Sequence, residues 1–185
     1  MANAVRIIGG EWRSRQITFD DAPGLRPTPA RVRETLFNWL QADIGNSCCL
    51  DLFAGSGALG FEAASRGARR VVQVESNLQS CRQLRANVER LNASQMQVRQ
   101  ADVLKFLADC EESFDLVFLD PPFGQGLILQ TCQSLCGAVL APHAKIYIEA
   151  ERQFAWDNLP SSWRLLKQKT AGDVSYALVQ QESVS

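Results

Sequence analysis

The sequence predicts an α/β protein with a doubly wound, mostly parallel sheet of seven strands and an N-terminal β-hairpin extension. The main observation is that, from residue 48 onward, short β-rich runs alternate with segments whose apolar residues recur at helical spacing. This alternation is typical of βαβ units, in which helices cover both faces of a parallel sheet. The second observation is that the last two β-rich runs, 163–169 and 175–180, are separated by a short turn around Gly172. They predict an antiparallel hairpin at a sheet edge.

The N-terminal extension comes first along the chain. Residues 5–8 and 15–19 predict two short strands, and a connector rich in proline and glycine, 23–29, follows them. After the connector, Thr28 is predicted to cap a helix that has Pro29 in its first turn. The apolar residues on one face of this helix are Val32, Leu36, Trp39 and Leu40.

The main domain follows the connector. Its parallel strands are predicted at 48–53, 71–75, 96–99, 114–119 and 145–149. Helices are predicted between them at 58–66, 78–91, 103–110 and 127–136. We therefore divide the chain into a hairpin extension, 1–22, and a main domain, 23–185.

Composition limits the class of protein. A chain of 185 residues with 46% hydrophobic content is long enough for one substantial core. It has neither an apolar segment long enough to span a membrane nor a start like a secretory signal, and its six cysteines form no CxxC pair. We therefore expect a cytoplasmic monomer that binds no membrane and no metal.

The charge is unevenly distributed along the chain. The net charge is -1, but residues 1–40 contain six arginines against four acidic residues, and residues 111–185 contain five basic against nine acidic residues. A nucleic-acid surface is therefore expected to be local and N-terminal. The predicted RNA contacts are Arg6, Trp12, Arg13, Arg15, Arg26, Arg31 and Arg33, with the tryptophan available to stack or to pack.

A glycine-rich turn follows the first parallel strand. Gly55, Gly57 and Gly60 form a GxGxxG pattern between this strand and the next helix. Glycines allow a ligand to approach the backbone, and a helix N-terminus offers free N–H groups to an anion. Glu75 ends the next strand 18 residues after Gly57, close to the spacing at which an acid binds a ribose diol.

Two acidic residues are candidate ligands in this site, and the first favours S-adenosylmethionine (SAM) over a dinucleotide. Asp51 precedes the turn, where its carboxylate would repel a pyrophosphate but attract the ammonium group of a methionine. Asp102 follows the third parallel strand and is placed to accept the adenine amino hydrogens, although capping the next helix explains it almost equally well.

The tetrapeptide Asp120-Pro121-Pro122-Phe123 directly follows an apolar strand. In a doubly wound sheet this strand lies beside the first one, where ligands bind at the carboxyl ends. Asp120 and the Pro121 carbonyl are predicted to accept the two hydrogens of an exocyclic base amine and so direct its lone pair toward a methyl donor. Pro122 stiffens the backbone, and Phe123 offers a ring on which an extruded base can stack.

With these residues in place, the chain resembles the bacterial 16S ribosomal RNA guanine-N2 methyltransferases, small-subunit enzymes of the class I, Rossmann-like fold. The resemblance covers nearly the whole chain and is most specific in segments 6–13, 24–28 and 31–40. It implies a hairpin extension that helps to hold RNA and a substrate guanine in 16S rRNA, within the small subunit or an assembly intermediate. It also implies SAM as methyl donor and S-adenosylhomocysteine as product. The implied cofactor residues are Asp51, Phe53, Gly55, Gly57, Gly60, Glu75, Asp102 and Val103, and the implied catalytic residues are those of the tetrapeptide 120–123.

The residues alone leave the target base open. Guanine N2, adenine N6 and cytosine N4 all present a planar amine that the tetrapeptide could hold, in RNA or in DNA. A sequence-specific DNA enzyme would need a separate recognition domain, for which the chain has no room. The alternatives from other classes are a non-catalytic nucleotide-binding RNA module and a dinucleotide-dependent oxidoreductase.

Overall fold

The computed structural model describes residues 2–183 and confirms the predicted α/β architecture. The strands are β1 (Asn3–Arg6), β2 (Gln16–Phe19), β3 (Cys48–Asp51), β4 (Arg70–Glu75), β5 (Met96–Gln100), β6 (Phe114–Leu119), β7 (Leu140–Glu151), β8 (Trp163–Ala171) and β9 (Val174–Gln181). The α-helices are α1 (Ala30–Trp39), α2 (Ala58–Ser65), α3 (Leu78–Arg90), α4 (Val103–Asp109) and α5 (Leu127–Leu135). A short 3-10 helix spans Trp156–Asn158.

The main sheet has seven strands in the order β5-β4-β3-β6-β7-β9-β8. Strands β3 to β7 pair in parallel, and the hairpin of β8 and β9 adds to β7 in antiparallel pairing. Because β3 pairs with both β4 and β6, the strand order reverses at β3. The carboxyl ends of these strands therefore open a crevice in which ligands bind in sheets of this kind.

Side chains that alternate along the strands divide the interior into two cores. Leu116 and Phe118 of β6 belong to the core that α1, α2 and α3 cover, whereas Val117 and Leu119 belong to the core under α4 and α5. Apolar surface is thus buried on both faces of the sheet, which is the predicted doubly wound arrangement. Within residues 2–183, no helix has both the length and the apolar character needed to cross a membrane.

The N-terminal hairpin packs onto the first of these cores. Ile7, Trp12 and Ile17 are buried there together with residues of α1 and α2. The first strand ends at Arg6, two residues earlier than predicted, because the backbone N–H groups of Ile8 and Gly9 donate to the side chain of Glu62 instead. A domain division at residue 22 remains a prediction.

The carboxylate of Glu62 connects the hairpin and α1 to α2. It is fully buried and forms ion pairs with Arg33 at 3.2 Å and Arg66 at 2.9 Å. Its oxygens also accept hydrogen bonds from Ile8 N at 3.0 Å and Gly9 N at 2.9 Å. A buried charge with this many donors is compensated, but loss of the Glu62 charge would leave the buried Arg33 guanidinium without a counter-charge.

We predict that Glu62→Gln lowers the free energy of unfolding by about 3 to 5 kcal/mol, because the buried guanidinium of Arg33 loses its counter-charge. The matched control is Glu112→Gln, which breaks the half-exposed pair with Arg70 and should cost about 1 kcal/mol or less. Urea denaturation of the three proteins measures both values. Equal effects of the two substitutions would contradict the role given to Glu62.

Candidate active site

The turn between β3 and α2 forms the centre of the site. Gly57 has a φ of +84° and is the residue that caps α2. A Cβ atom at Gly57 would lie 2.5 Å from a methyl carbon of Leu84 and 2.8 Å from the Phe61 ring. A side chain is excluded there by both backbone conformation and packing.

Asp51 lies beneath this turn. Its Oδ2 atom accepts hydrogen bonds from Gly60 N at 3.1 Å and Gln73 Nε2 at 3.2 Å. A Cβ atom at Gly60 would lie 3.0 Å from this same oxygen, so glycine allows the close approach of α2. Burial raises the pKa of Asp51 to about 7. Among the described residues no donor reaches Oδ1, which is therefore the oxygen left for a ligand.

The other predicted cofactor residues lie at the same edge of the sheet. Glu75 accepts hydrogen bonds from Gly55 N and Asn77 N, both at 2.9 Å. Asp102 is exposed and caps α4 by accepting from Lys105 N at 3.2 Å, so the capping role weighed for it is confirmed. Phe53 is half-buried beside the turn, and Val103 is buried at the start of α4.

The tetrapeptide 120–123 follows β6 on the other side of the crevice. Pro121 is buried, Pro122 is exposed, and the Phe123 side chain is 46% exposed. The next residue, Gly124, donates from its N–H to Glu151 Oε1 at 2.7 Å, which holds the turn against the end of β7. The structure therefore presents an aromatic ring at the surface beside Asp120.

Thr28 has a different role from the predicted helix cap. Helix α1 has Pro29 at its N-cap position and no side-chain cap. The buried Thr28 hydroxyl instead lies 3.3 Å from both Asp120 Oδ2 and Glu149 Oε2. The cap prediction is wrong because the hydroxyl contacts these two carboxyl oxygens, which are distant in sequence, and makes no hydrogen bond to the backbone of the helix.

Glu149 and Tyr147 are site residues that sequence reasoning missed. Both lie on β7 and are buried, and the Tyr147 hydroxyl donates to Glu149 Oε1 at 2.8 Å. Burial and the neighbouring Glu149 charge raise the pKa of Asp120 well above its usual range. A cluster of Thr28, Asp120, Tyr147 and Glu149, which we call the carboxyl cluster, therefore lies behind the tetrapeptide.

The structure buries two of the seven residues predicted to contact RNA. Trp12 is only 5% exposed because its ring packs in the core. Arg33 is 3% exposed because its guanidinium donates to Glu62, to the Thr28 carbonyl and to the Arg6 carbonyl. Arg33 lies four residues before the apolar Phe37, on the same face of the helix, and this spacing could have indicated its burial. The five remaining predicted arginines are exposed: Arg6, Arg13, Arg15, Arg26 and Arg31.

A groove lies between the hairpin and the connector. Its volume is about 560 Å³, and its lining includes Arg6, Arg13, Pro27 and Thr28. Two exposed arginines therefore share a groove with Thr28, whose hydroxyl contacts Asp120. Within residues 2–183, no three acidic, cysteine or histidine side chains are grouped to hold a metal ion.

Comparison with known proteins identifies similar chains over almost the full length. Residues 5–180 match the family model described as conserved hypothetical protein 95. The ribosomal RNA small subunit methyltransferase D of Escherichia coli is 44% identical over 97% of this chain and 91% of its own length. The solved structure of Escherichia coli yhhF superposes with a TM-score of 0.89 and 43% identity, covering 98% of this chain and 100% of that one.

A further solved structure includes ligands. It is a Thermus thermophilus 16S rRNA N2 methyltransferase in complex with AdoMet and guanosine, with a TM-score of 0.72 and 25% identity. The similarity covers 100% of this chain and 50% of that one.

We predict that stability decreases as pH rises, in part because of Asp51. Its folded-state pKa of about 7 lies above the usual value of about 3.9, so the folded state binds the proton more tightly. This contribution is fully present below the usual pKa and is lost as pH rises through about 7. When pH rises from about 5 to about 8, the free energy of unfolding of Asp51→Asn should fall by about 2 kcal/mol less than that of the parent protein. Urea denaturation at both pH values, with exposed Asp109→Asn as control, tests this. Equal losses in parent and Asp51→Asn would contradict the burial argument.

Proposed function

Because the chain belongs to the family described as conserved hypothetical protein 95, which its match over residues 5–180 establishes, we propose that it is a SAM-dependent rRNA methyltransferase. Its proposed substrate is the exocyclic N2 amine of a guanine in 16S ribosomal RNA, within the small subunit or an assembly intermediate. The proposed setting is the cytoplasm, and the proposed active form is a monomer.

The observation that carries the proposal is that the glycine turn after β3 and the tetrapeptide after β6 end neighbouring strands of one sheet. A ligand held by the first would have its reactive end toward the second. The choice of guanine is supported by the likeness to a 16S rRNA N2 methyltransferase that binds guanosine.

The residues of the turn suit SAM, which supplies an electrophilic methyl group when bound. The Oδ1 atom of Asp51, to which no described residue donates, is the proposed acceptor for the methionine ammonium group. Glu75 lies at the end of β4, where its oxygens can accept from the ribose hydroxyls, and Asp102 lies at the end of β5 for the adenine amine. The glycines have no side chains, so a ligand can approach the backbone of the turn closely.

The tetrapeptide orients the target amine. Asp120 and the Pro121 carbonyl each accept one amine hydrogen, which directs the nitrogen lone pair toward the methyl group. Phe123, with its exposed ring, stacks on the extruded base. The arginines of the groove bind the phosphates that flank the target base. Base selection depends on the tetrapeptide.

Methyl transfer from labelled SAM to three substrates tests the function. We expect label in small ribosomal subunits or 16S rRNA, mapped to guanine N2, and none in duplex DNA. Label mapped to adenine N6 or cytosine N4 would overturn the choice of base. SAM binding without transfer to any nucleic acid would support a non-catalytic RNA-binding module instead, and binding of NAD in place of SAM would support an oxidoreductase.

We predict that Asp120→Ala slows single-turnover methylation at saturating SAM and RNA by about 100-fold or more, because a positioned acceptor for the reacting amine is lost. Asp120→Asn keeps one acceptor oxygen and should retain more activity than Asp120→Ala. SAM affinity should change little in either variant, since the effect belongs to the chemical step. A rate for Asp120→Ala near that of the parent would reduce Asp120 to a turn residue.

We also predict that replacing Arg6 and Arg13 together by alanine weakens RNA binding and spares SAM binding. The slope of log affinity against log salt concentration should fall in magnitude by about 1 to 2, as two phosphate contacts are lost. Replacing Arg164 and Lys167 of the edge strand β8 is the matched control and should leave the slope unchanged. An unchanged slope in the Arg6 and Arg13 variant would show that the groove does not bind phosphate.

A further inference from the structure

We propose that Glu149 is a positioning residue for the transfer, which takes over the proton held by Asp120 and so makes Asp120 an anionic acceptor as the target amine becomes positively charged. The inference rests on the proposed function and adds the residue that controls the ionisation of Asp120.

Asp120 and Glu149 lie side by side at the carboxyl edge of the sheet. Leu119 of β6 pairs with Ile148 of β7, and Asp120 and Glu149 are the residues that follow this pair. Both carboxyl groups have an oxygen 3.3 Å from the Thr28 hydroxyl. A hydroxyl has a single hydrogen, so Thr28 can donate to only one of them at a time.

The pair therefore needs a proton of its own. Glu149 is 6% exposed, and among residues 2–183 no lysine or arginine forms an ion pair with either carboxyl group. The other titratable groups that act on Asp120 and Glu149 are the acid Asp51 and the Tyr147 phenol, and neither adds positive charge. Two adjacent buried carboxylates repel each other, so one proton shared by the pair is favoured.

At rest this proton belongs on Asp120. The Tyr147 hydroxyl donates to Glu149 Oε1 at 2.8 Å, whereas the one hydroxyl that reaches Asp120 among the described residues is that of Thr28, which Glu149 shares. Burial and the Glu149 charge raise the pKa of Asp120 well above its usual range. Its Oδ1 atom has no donor among the described residues, so this oxygen is the acceptor available to a target amine.

The proton movements balance through the reaction. As the amine nitrogen bonds to the methyl carbon, the electron pair of the carbon–sulfur bond stays on sulfur and the amine becomes a cation. The Asp120 proton passes to Glu149, and Asp120, now anionic, stabilises the cation and takes one of its hydrogens. Both carboxyl groups then hold a proton, and one proton returns to solvent when the product leaves.

Single-turnover methylation across about pH 6 to about pH 9 tests the relay. With Glu149→Gln the Asp120 proton must leave to solvent, so the rate at neutral pH should fall by about tenfold or more. It should then recover as pH rises, because Asp120 ionises, whereas the parent rate should vary less. Glu149→Asp keeps a carboxylate and should restore part of the rate. SAM affinity should stay within about twofold in both variants, and exposed Glu111→Gln is the control for loss of charge.

A second measurement needs neither activity nor bound ligand. Carbon NMR of the Asp120 carboxyl, assigned by its absence in Asp120→Asn, should show a group still protonated near neutral pH in the parent. In Glu149→Gln burial still favours the protonated form of Asp120, so its titration midpoint should coincide with the pH at which the rate of that variant recovers. The titration of Asp120 in the parent protein tests its protonation even if Glu149→Gln does not fold.

The outcomes separate this inference from the proposed function. A parent that methylates guanine N2, together with a Glu149→Gln variant of parental rate at every pH, overturns the relay and leaves the function intact. An Asp120 midpoint near the usual value of about 3.9 in the parent also overturns the relay. If the parent transfers no methyl group to RNA, the proposed function fails and the role of Glu149 in transfer fails with it, whatever the NMR titration shows.

Discussion

The Glu62 carboxylate is buried on α2 and receives donors from the hairpin backbone, from Arg33 of α1 and from Arg66. Arg33 in turn donates to the carbonyls of Arg6 and Thr28. One ion pair therefore joins the hairpin, the connector, α1 and the helix that follows the glycine turn. Without it, the buried Arg33 guanidinium would have no counter-charge, and the hydrogen bond that Arg33 donates to the connector at the Thr28 carbonyl would be weakened. The position of Thr28 beside Asp120 depends on this pair.

The site combines buried acids with an exposed basic surface. Asp51, Asp120 and Glu149 lie under the crevice, where burial raises the pKa of the two aspartates and reduces the stability of the fold at high pH. The exposed arginines lie on the hairpin, the connector and α1. Buried carboxyl groups that reduce the stability of the fold in this way are typical of sites that bind or move protons.

The parallel sheet and the two motifs could be predicted because each has a local signature. The apolar run of β6 stops abruptly at Asp120, and GxGxxG lies between a strand and a helix. The contacts of Thr28 could not be predicted, because a threonine before a proline shows the same local pattern as a helix cap. Glu149 lay within a predicted strand, and its partner Thr28 is 121 residues earlier. The burial of Trp12 and Arg33 follows from tertiary packing, which a charge count does not reveal.

A crystal structure of the protein with S-adenosylhomocysteine and guanosine tests the central claim most directly. The account predicts that the guanine N2 atom lies within about 3.2 Å of Asp120 Oδ1, between the tetrapeptide and the glycine turn, with the base stacked on Phe123. It also predicts that the sulfur atom of the product faces the N2 atom across the space of one methyl group. A guanosine bound elsewhere, or one whose N2 atom points away from Asp120, would contradict the account.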